Sequence, residues 1–219
     1  MIYYYLNIFE LKYIFIKKIK MSSNNTQNDI KIILIGNSGV GKTNLIRVAV
    51  DKGFNEIEES SLTTSFSRKK ITIHDKEYSI CLWDTIGQEN LRMMNRLFYK
   101  NAKIVIFVYD ITNKQSFDDL KYWIEEVNKQ ISESHFIRAI IGNKMDLFEN
   151  EEVNEDDLDN FANSLNAKYL KISAKNNENK KLIDFLTNLI IDYLDIGVVE
   201  DKGRISLSKN KIKKKKKCC

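Results

Sequence analysis

Gly36-Asn37-Ser38-Gly39-Val40-Gly41-Lys42-Thr43 is the stretch on which the fold turns. It fits the pattern G-x-x-x-x-G-K-[ST] and lies between a β-branched run at residues 31–35 and a helical pattern at 42–52. Glycines let a backbone wrap closely round an anion, so that successive N–H groups and the N-terminus of the next helix face negative oxygens. In such a loop Lys42 reaches the outer phosphates of a nucleotide and the Thr43 hydroxyl is a ligand for Mg²⁺. An ordinary glycine turn before a helix is the plainer alternative. The intact Lys-Thr pair and the flanking elements favour the phosphate-binding loop (P-loop) of an NTPase, with residues Asn37, Ser38, Gly39, Val40, Gly41, Lys42 and Thr43 round the anion.

Outward from this loop, short apolar or β-branched runs recur at 70–73, 78–83, 104–109, 137–141 and 168–172, which makes six predicted strands with 31–35. Helical periodicity fits 42–52, 115–131, 156–163 and 180–194, with acids before the third of these able to cap it. Strands alternating with helices predict an α/β fold built on a mostly parallel sheet. Periodicity gives out after Ile196, and residues 197–219 are expected to be a flexible tail after a domain at 29–196.

The 219 residues, 43% of them hydrophobic, suffice for one core and are few for two. The formal charge is +5, yet seven lysines crowd into the last eleven residues, so the basicity belongs to the tail and the body is left net acidic. That argues against a nucleic-acid-binding face on the domain, which needs its cations on one folded surface. Three cysteines make no disulfide framework, and Cys218 and Cys219 are adjacent at the end of the chain, as in a reducing cytosolic setting. Cys81 falls in a predicted core strand and reads as a small buried residue. Residues 1–20 are apolar and aromatic, but Glu10 and Lys12 interrupt them and the basic cluster of Lys17, Lys18 and Lys20 follows the apolar part, unlike a signal peptide. With Met21 and a polar run next, the native chain is expected to start at Met21, leaving 1–20 as an upstream extension and 1–28 outside the domain.

Asn143-Lys144-Met145-Asp146 follows the fifth predicted strand, at the edge where open α/β sheets bind ligands. It resembles the N-K-x-D motif of small GTPases, in which the Asp accepts from guanine N1–H and the 2-amino group while the Asn supports the loop. Adenine has no such donor pair and would leave Asp146 without a partner in a dry pocket. Ser173-Ala174-Lys175 after the sixth strand resembles the companion S-A-K motif, whose backbone N–H meets guanine O6. Phe54, twelve residues after Lys42, stands at the offset where Ras-like proteins stack an aromatic ring on guanine, although an aromatic after a helix is also an ordinary core residue.

Asp84-Thr85-Ile86-Gly87-Gln88-Glu89 resembles D-T-A-G-Q-E of the Ras superfamily, and Trp83 before it is typical of Rab and Rho members. The resemblance implies Asp84 on Mg²⁺ through a water, the Gly87 N–H on the γ-phosphate and Gln88 orienting the attacking water. Ile86 replaces the usual alanine with a bulkier, stiffer side chain, and slower intrinsic hydrolysis is expected. Counting seven residues on from Phe54, or twenty-two back from Trp83, reaches Ser61 as the switch hydroxyl for Mg²⁺ and the γ-phosphate, with Thr63 and Thr64 as alternatives. Phe66, Trp83 and Phe98 match the three aromatics of the Rab effector-facing patch, and each could equally be core.

The chain ends Lys-Lys-Lys-Lys-Lys-Cys218-Cys219, which resembles the Rab terminus whose two cysteines are geranylgeranylated. Two lipids, or one plus a polybasic patch, anchor firmly, and each lysine near an anionic surface adds about 1 kcal/mol. A solvated charge run or a nuclear signal is the alternative. From 29 to about 195 the motifs keep the order of the Ras superfamily, and Trp83 with the Cys-Cys end points to the Rab family. The resemblance implies a P-loop NTPase fold with a six-stranded, mostly parallel sheet, helices on both faces and an antiparallel second strand. It further implies a monomeric switch that hydrolyses GTP to GDP on the cytoplasmic face of an intracellular membrane and regulates vesicle traffic. Its implied partners are a guanine-exchange factor, a GTPase-activating protein, an escort protein or GDP-dissociation inhibitor, and traffic effectors. A GTP-binding scaffold with little hydrolysis is the competing expectation, marked by Ile86 and Ser61 and opposed by Gln88.

Overall fold

The structure, a computed structural model, describes residues 28–56, 65–84, 96–131 and 136–214, with the side chains of 65, 96, 97 and 197–214 excepted. Six strands form one sheet: β1 (Asp29–Ile35), β2 (Ser65–Ile73), β3 (Lys76–Asp84), β4 (Ile104–Asp110), β5 (Ile137–Asn143) and β6 (Lys168–Lys171). Their order is β2-β3-β1-β4-β5-β6. Only the β2 and β3 hairpin is antiparallel, and every other neighbouring pair is parallel. The helices are α1 (Lys42–Ala49), α2 (Arg96–Tyr99), α3 (Lys114–Asp118), α4 (Leu120–Gln130), α5 (Glu155–Ser164) and α6 (Asn179–Lys214), with a 3-10 turn at Met145–Asn150.

A parallel strand covered on both sides is apolar at every position, and all seven residues of β4 are buried. Alternation then divides them between two cores. Ile104, Ile106 and Val108 join Leu45 and Val48 of α1 and Leu182, Leu186 and Leu189 of α6. Val105, Phe107 and Tyr109 join Phe98 of α2, Leu120, Trp123 and Val127 of α4, and Leu158 of α5. Helices therefore cover both faces, as expected.

Helix ends follow local chemistry. The Asn113 side chain caps α3 by accepting from the Ser116 N–H at 3.0 Å. Asn154 caps α5 through the Asp157 N–H at 2.7 Å, and Glu155, Asp156 and Asp157 favour the positive end of that helix.

Several boundaries differ from expectation, β2 beginning at Ser65 where 70 was expected and α1 ending at Ala49 where 52 was expected. The helix expected at 115–131 is interrupted at Asp119, whose side chain makes no cap bond. α2 was not legible in the sequence, being four residues long. α6 continues to Lys214, where a helix ending at 194 and a flexible tail after it were expected. Gly197 and Gly203 weaken that stretch without stopping it, and no proline follows, while lysine and leucine are good helix formers.

Candidate functional site

The parallel strands deliver five loops to one edge of the sheet, after β1, β3, β4, β5 and β6. The loop after β1 is shaped by glycine. Gly36 lies so close to β4 that a Cβ would stand 2.1 Å from the Val108 carbonyl oxygen. Gly41 has φ 92°, and a Cβ there would stand 2.2 Å from Asn143 Nδ2. As N-cap of α1, Gly41 offers no side-chain acceptor, so the first N–H groups of the helix receive no capping oxygen from it. Ser38 and Gly39 are exposed at the tip of the loop and Val40 is buried beneath it.

Lys42 is only 5% exposed, and its Nζ donates to the carbonyls of Gly36 at 2.9 Å and Asn37 at 2.7 Å. The ammonium is thus curled into the loop, where phosphate oxygens would be stronger acceptors. Burial lowers its pKa to about 8, against the opposing pull of the Asp84 carboxylate. The Thr43 hydroxyl donates to Asp84 Oδ2 at 2.6 Å, joining α1 to the end of β3. One hydroxyl and one buried carboxylate form a small, hard-oxygen donor set. It suits Mg²⁺, which takes its remaining ligands from water and phosphate. Of the residues expected to hold phosphate and metal, Lys42, Thr43 and Asp84 converge here, and their chemistry suits both groups.

At the base end Asn143, 2% exposed, ties three loops together. Its Nδ2 donates to the Val40 carbonyl at 2.9 Å and its Oδ1 accepts from the Ala174 N–H at 3.1 Å. Ser173 Oγ donates to Asp146 Oδ1 at 2.5 Å and accepts from the Asn176 N–H at 3.1 Å, which orients the carboxylate. The Met145 N–H reaches the Ile172 carbonyl at 3.2 Å, so the base loop is stitched to the end of β6. Lys175 is exposed.

Lys144 adopts left-handed backbone, φ 72°, and its Nζ pairs with Asp110 Oδ2 at 2.6 Å. Asp110 was not singled out from the sequence. Its other oxygen accepts from the Thr112 N–H at 3.0 Å and hydroxyl at 2.8 Å, making it the anchor of the Lys144 side chain. An acid closing an otherwise apolar strand is the signal that could have found it.

Phe54 is 37% exposed. Its loop is held against α1, where Asn44 and Asn55 exchange hydrogen bonds at 2.8 and 3.0 Å and Arg47 Nε donates to the Gly53 carbonyl at 3.2 Å. The ring thus stands at the surface on a fixed loop. Phe66, Trp83 and Phe98 do meet. Phe66 stacks on Trp83 with centroids 5.4 Å apart, and Trp83 meets Phe98 edge to face at 5.9 Å. Trp83 and Phe98 are buried, however, at 3% and 0% exposure, and Phe66 is half-buried. Cys81 is buried with a free thiol, as expected of a small core residue. Ser61, Thr63, Thr64, Ile86, Gly87, Gln88, Cys218 and Cys219 lie outside the described residues.

A Ras family model matches residues 31–191. Ras-related protein Rab-21 of Bos taurus is 31% identical over 174 residues, covering 80% of this chain and 77% of its own. Ras-related protein Rab-22A of Homo sapiens is 30% identical over 191 residues, covering 87% and 98% respectively. For Ras-related protein Rab-30 of Homo sapiens the figures are 35% over 162 residues, 73% and 79%. The match spans all five loops of the site, and the chain belongs to the Ras family as a Rab small GTPase.

Proposed function

We propose that this small GTPase binds GDP and GTP with Mg²⁺, hydrolyses GTP slowly, and regulates vesicle traffic from the cytoplasmic face of an intracellular membrane. The observation that carries the nucleotide reading is Asn143, which joins the phosphate loop at Val40 to the base loops at Ala174, so that one buried side chain fixes the distance between phosphate and base subsites. Asp146, held by Ser173, would accept from guanine N1–H and the 2-amino group. Phe54 would cover the base, and Asn37 to Thr43 would enclose the phosphates.

Mg²⁺ would be held by Thr43 and Asp84, with Ser61 as the switch hydroxyl, and when bound it neutralises charge on the phosphates. Lys42 would turn its ammonium from the Gly36 and Asn37 carbonyls to the phosphate oxygens. Gln88 would orient the attacking water and the Gly87 N–H would contact the γ-phosphate. The γ-phosphate holds both switch segments, and its loss releases them. Ile86, a β-branched residue where the family usually carries alanine, would crowd that place and slow intrinsic cleavage; single-turnover hydrolysis should speed up in Ile86→Ala, and an unchanged rate would count against that role. A partner supplying an arginine would accelerate the reaction by ~10³ to 10⁵.

The Rab names of the relatives and the Cys-Cys end support geranylgeranylation of Cys218 and Cys219 after delivery by an escort protein. Lysines 213–217 would add attraction to anionic lipid. Among the described residues no helix is long and apolar enough to cross a membrane. Exchange factors, activating proteins, a GDP-dissociation inhibitor and traffic effectors complete the cycle, the last meeting the switch face at half-buried Phe66, which Trp83 and Phe98 support from the core. Imaging an N-terminally tagged chain tests the anchor: Cys218→Ser with Cys219→Ser should release it to the cytosol, and unchanged localisation would refute lipid tethering.

A further inference from the structure

Asn37, the second residue of the phosphate loop, is gripped by a helix that none of the nucleotide motifs includes. Its Nδ2 donates to Asp119 Oδ2 at 2.6 Å, and its Oδ1 accepts from Trp123 Nε1 at 2.7 Å. A carboxylate can only accept and an indole N–H can only donate, so the two partners fix the amide in one orientation. Both partners are themselves held. Gln115 Nε2 donates to the other Asp119 oxygen at 2.7 Å. The Trp123 ring is 6% exposed and belongs to the core cluster that includes Leu120, Ile124 and Val127. Asp119 sits at the break between α3 and α4 with no side-chain cap bond, its carboxylate directed to the loop instead. The carbonyl of the same Asn37 accepts from Lys42 Nζ at 2.7 Å.

We propose that Asp119 and Trp123 are positioning residues for nucleotide binding: they clamp Asn37 and so hold the phosphate loop open in its anion-binding shape, making the position of α4 a control on nucleotide release. This rests on the guanine-nucleotide reading above. A simple packing role for Trp123 would place its ring in the core without needing the indole N–H. A simple surface role for Asp119 would leave its carboxylate to water. The paired donor and acceptor on one loop side chain distinguish the clamp from both. Motion of α4 would then reach the loop through two hydrogen bonds, with no contact between α4 and the nucleotide required.

The test follows release of a ribose-labelled fluorescent GDP, with Mg²⁺, from the full-length chain. Trp123→Phe keeps an aromatic ring in the same apolar bed and removes the donor; release should quicken by roughly 3- to 10-fold, the factor that one lost neutral hydrogen bond corresponds to. Asn37→Asp sets a carboxylate against Asp119 and should quicken it by about tenfold or more, since like charges in contact repel. Adding Asp119→Asn restores a donor and acceptor pair and should return the rate to within about threefold of wild type. That rescue is the readout a merely structural role would not move. If Asn37→Asp alone yields no folded protein, recovery of a nucleotide-binding chain on adding Asp119→Asn carries the same meaning. Wild-type rates in both single variants, or a defect that Asp119→Asn does not correct, would overturn the clamp alone. A wild-type chain with no affinity for the labelled GDP would overturn the functional reading as well.

Discussion

The two ends of the candidate site are built on different principles. At the phosphate end, shape comes from backbone: Gly36 and Gly41 lie where a side chain would collide with Val108 or Asn143, and a buried lysine is curled onto its own loop carbonyls. At the base end, shape comes from side chains, with Asn143 and Ser173 placing Asp146 and the Ala174 N–H. A ligand recognised by charge and one recognised by its hydrogen-bonding edge call for these two solutions. Phosphate asks for many N–H groups and a cation, whereas a purine edge asks for one acceptor at one angle.

Substitutions should separate the two ends. The largest effect belongs to Lys42→Ala, which removes the buried ammonium: affinity for GDP with Mg²⁺, measured by calorimetry, should fall by about 3 kcal/mol or more from lost charge-assisted contacts. Thermal stability of the nucleotide-free chain should not fall with it, because a desolvated cation is removed. A matching loss of stability would erase the contrast. Asn143→Ala should damage both ends, because it leaves the Val40 carbonyl and the Ala174 N–H without their partner. About 2–3 kcal/mol should be lost in urea unfolding, along with nucleotide affinity; a loss of affinity alone would show that the bridge is not structural.

The pH response is a third, smaller lever on the phosphate end. Burial holds Lys42 down at about 8, below the ordinary lysine value. Between that pKa and the ordinary one, the unfolded chain binds the proton that the folded chain has released. The unliganded protein should therefore gain stability as pH rises through this window. Lys31, also lowered to about 8 by burial, contributes in the same direction. Nucleotide affinity runs the other way. Phosphate favours the charged amine, so binding takes up a proton, and affinity for GDP should drop by up to about tenfold from pH 8 to 9. A competition titration in wild type and Lys42→Met checks this, since the variant should show no such proton uptake. Smallest of all, Ser173→Ala should cost about 1 kcal/mol of guanine affinity by freeing the Asp146 carboxylate to turn, and about 1 kcal/mol of folding stability because the Asn176 N–H loses its acceptor.

The same division explains what could be read from the sequence. Glycine spacing with Lys42 and Thr43 is local, so the phosphate loop, its strand and its helix were legible together. Asn143-Lys144-Met145-Asp146 and Ser173-Ala174-Lys175 were legible because each follows a predicted strand, and the sheet brings strand ends to one edge. Contacts across long sequence separations were not. Asp110 holding Lys144, and Asp119 and Trp123 holding Asn37, join elements that only the sheet order brings close. The aromatic trio was legible as a set, but an apolar ring suits a core and an interface equally. The structure puts Trp83 and Phe98 on the core side of that choice. The one-residue gap at Asp119 escaped because helical periodicity runs straight through it, as does the backbone, which stays right-handed helical there with the Asp119 N–H on the Gln115 carbonyl. The long α6 escaped for another reason: beyond Leu194 its sequence mixes lysines with glycine, serine and β-branched residues, and no regular apolar face announces a helix.

A single titration bears most directly on the whole account: purified chain against GDP, GTP and ATP, each with Mg²⁺ and with chelator. Tight binding of both guanine nucleotides that weakens sharply without Mg²⁺, with ATP far weaker, is the predicted result. Equal affinity for ATP, or guanine-nucleotide binding indifferent to the metal, would contradict the account.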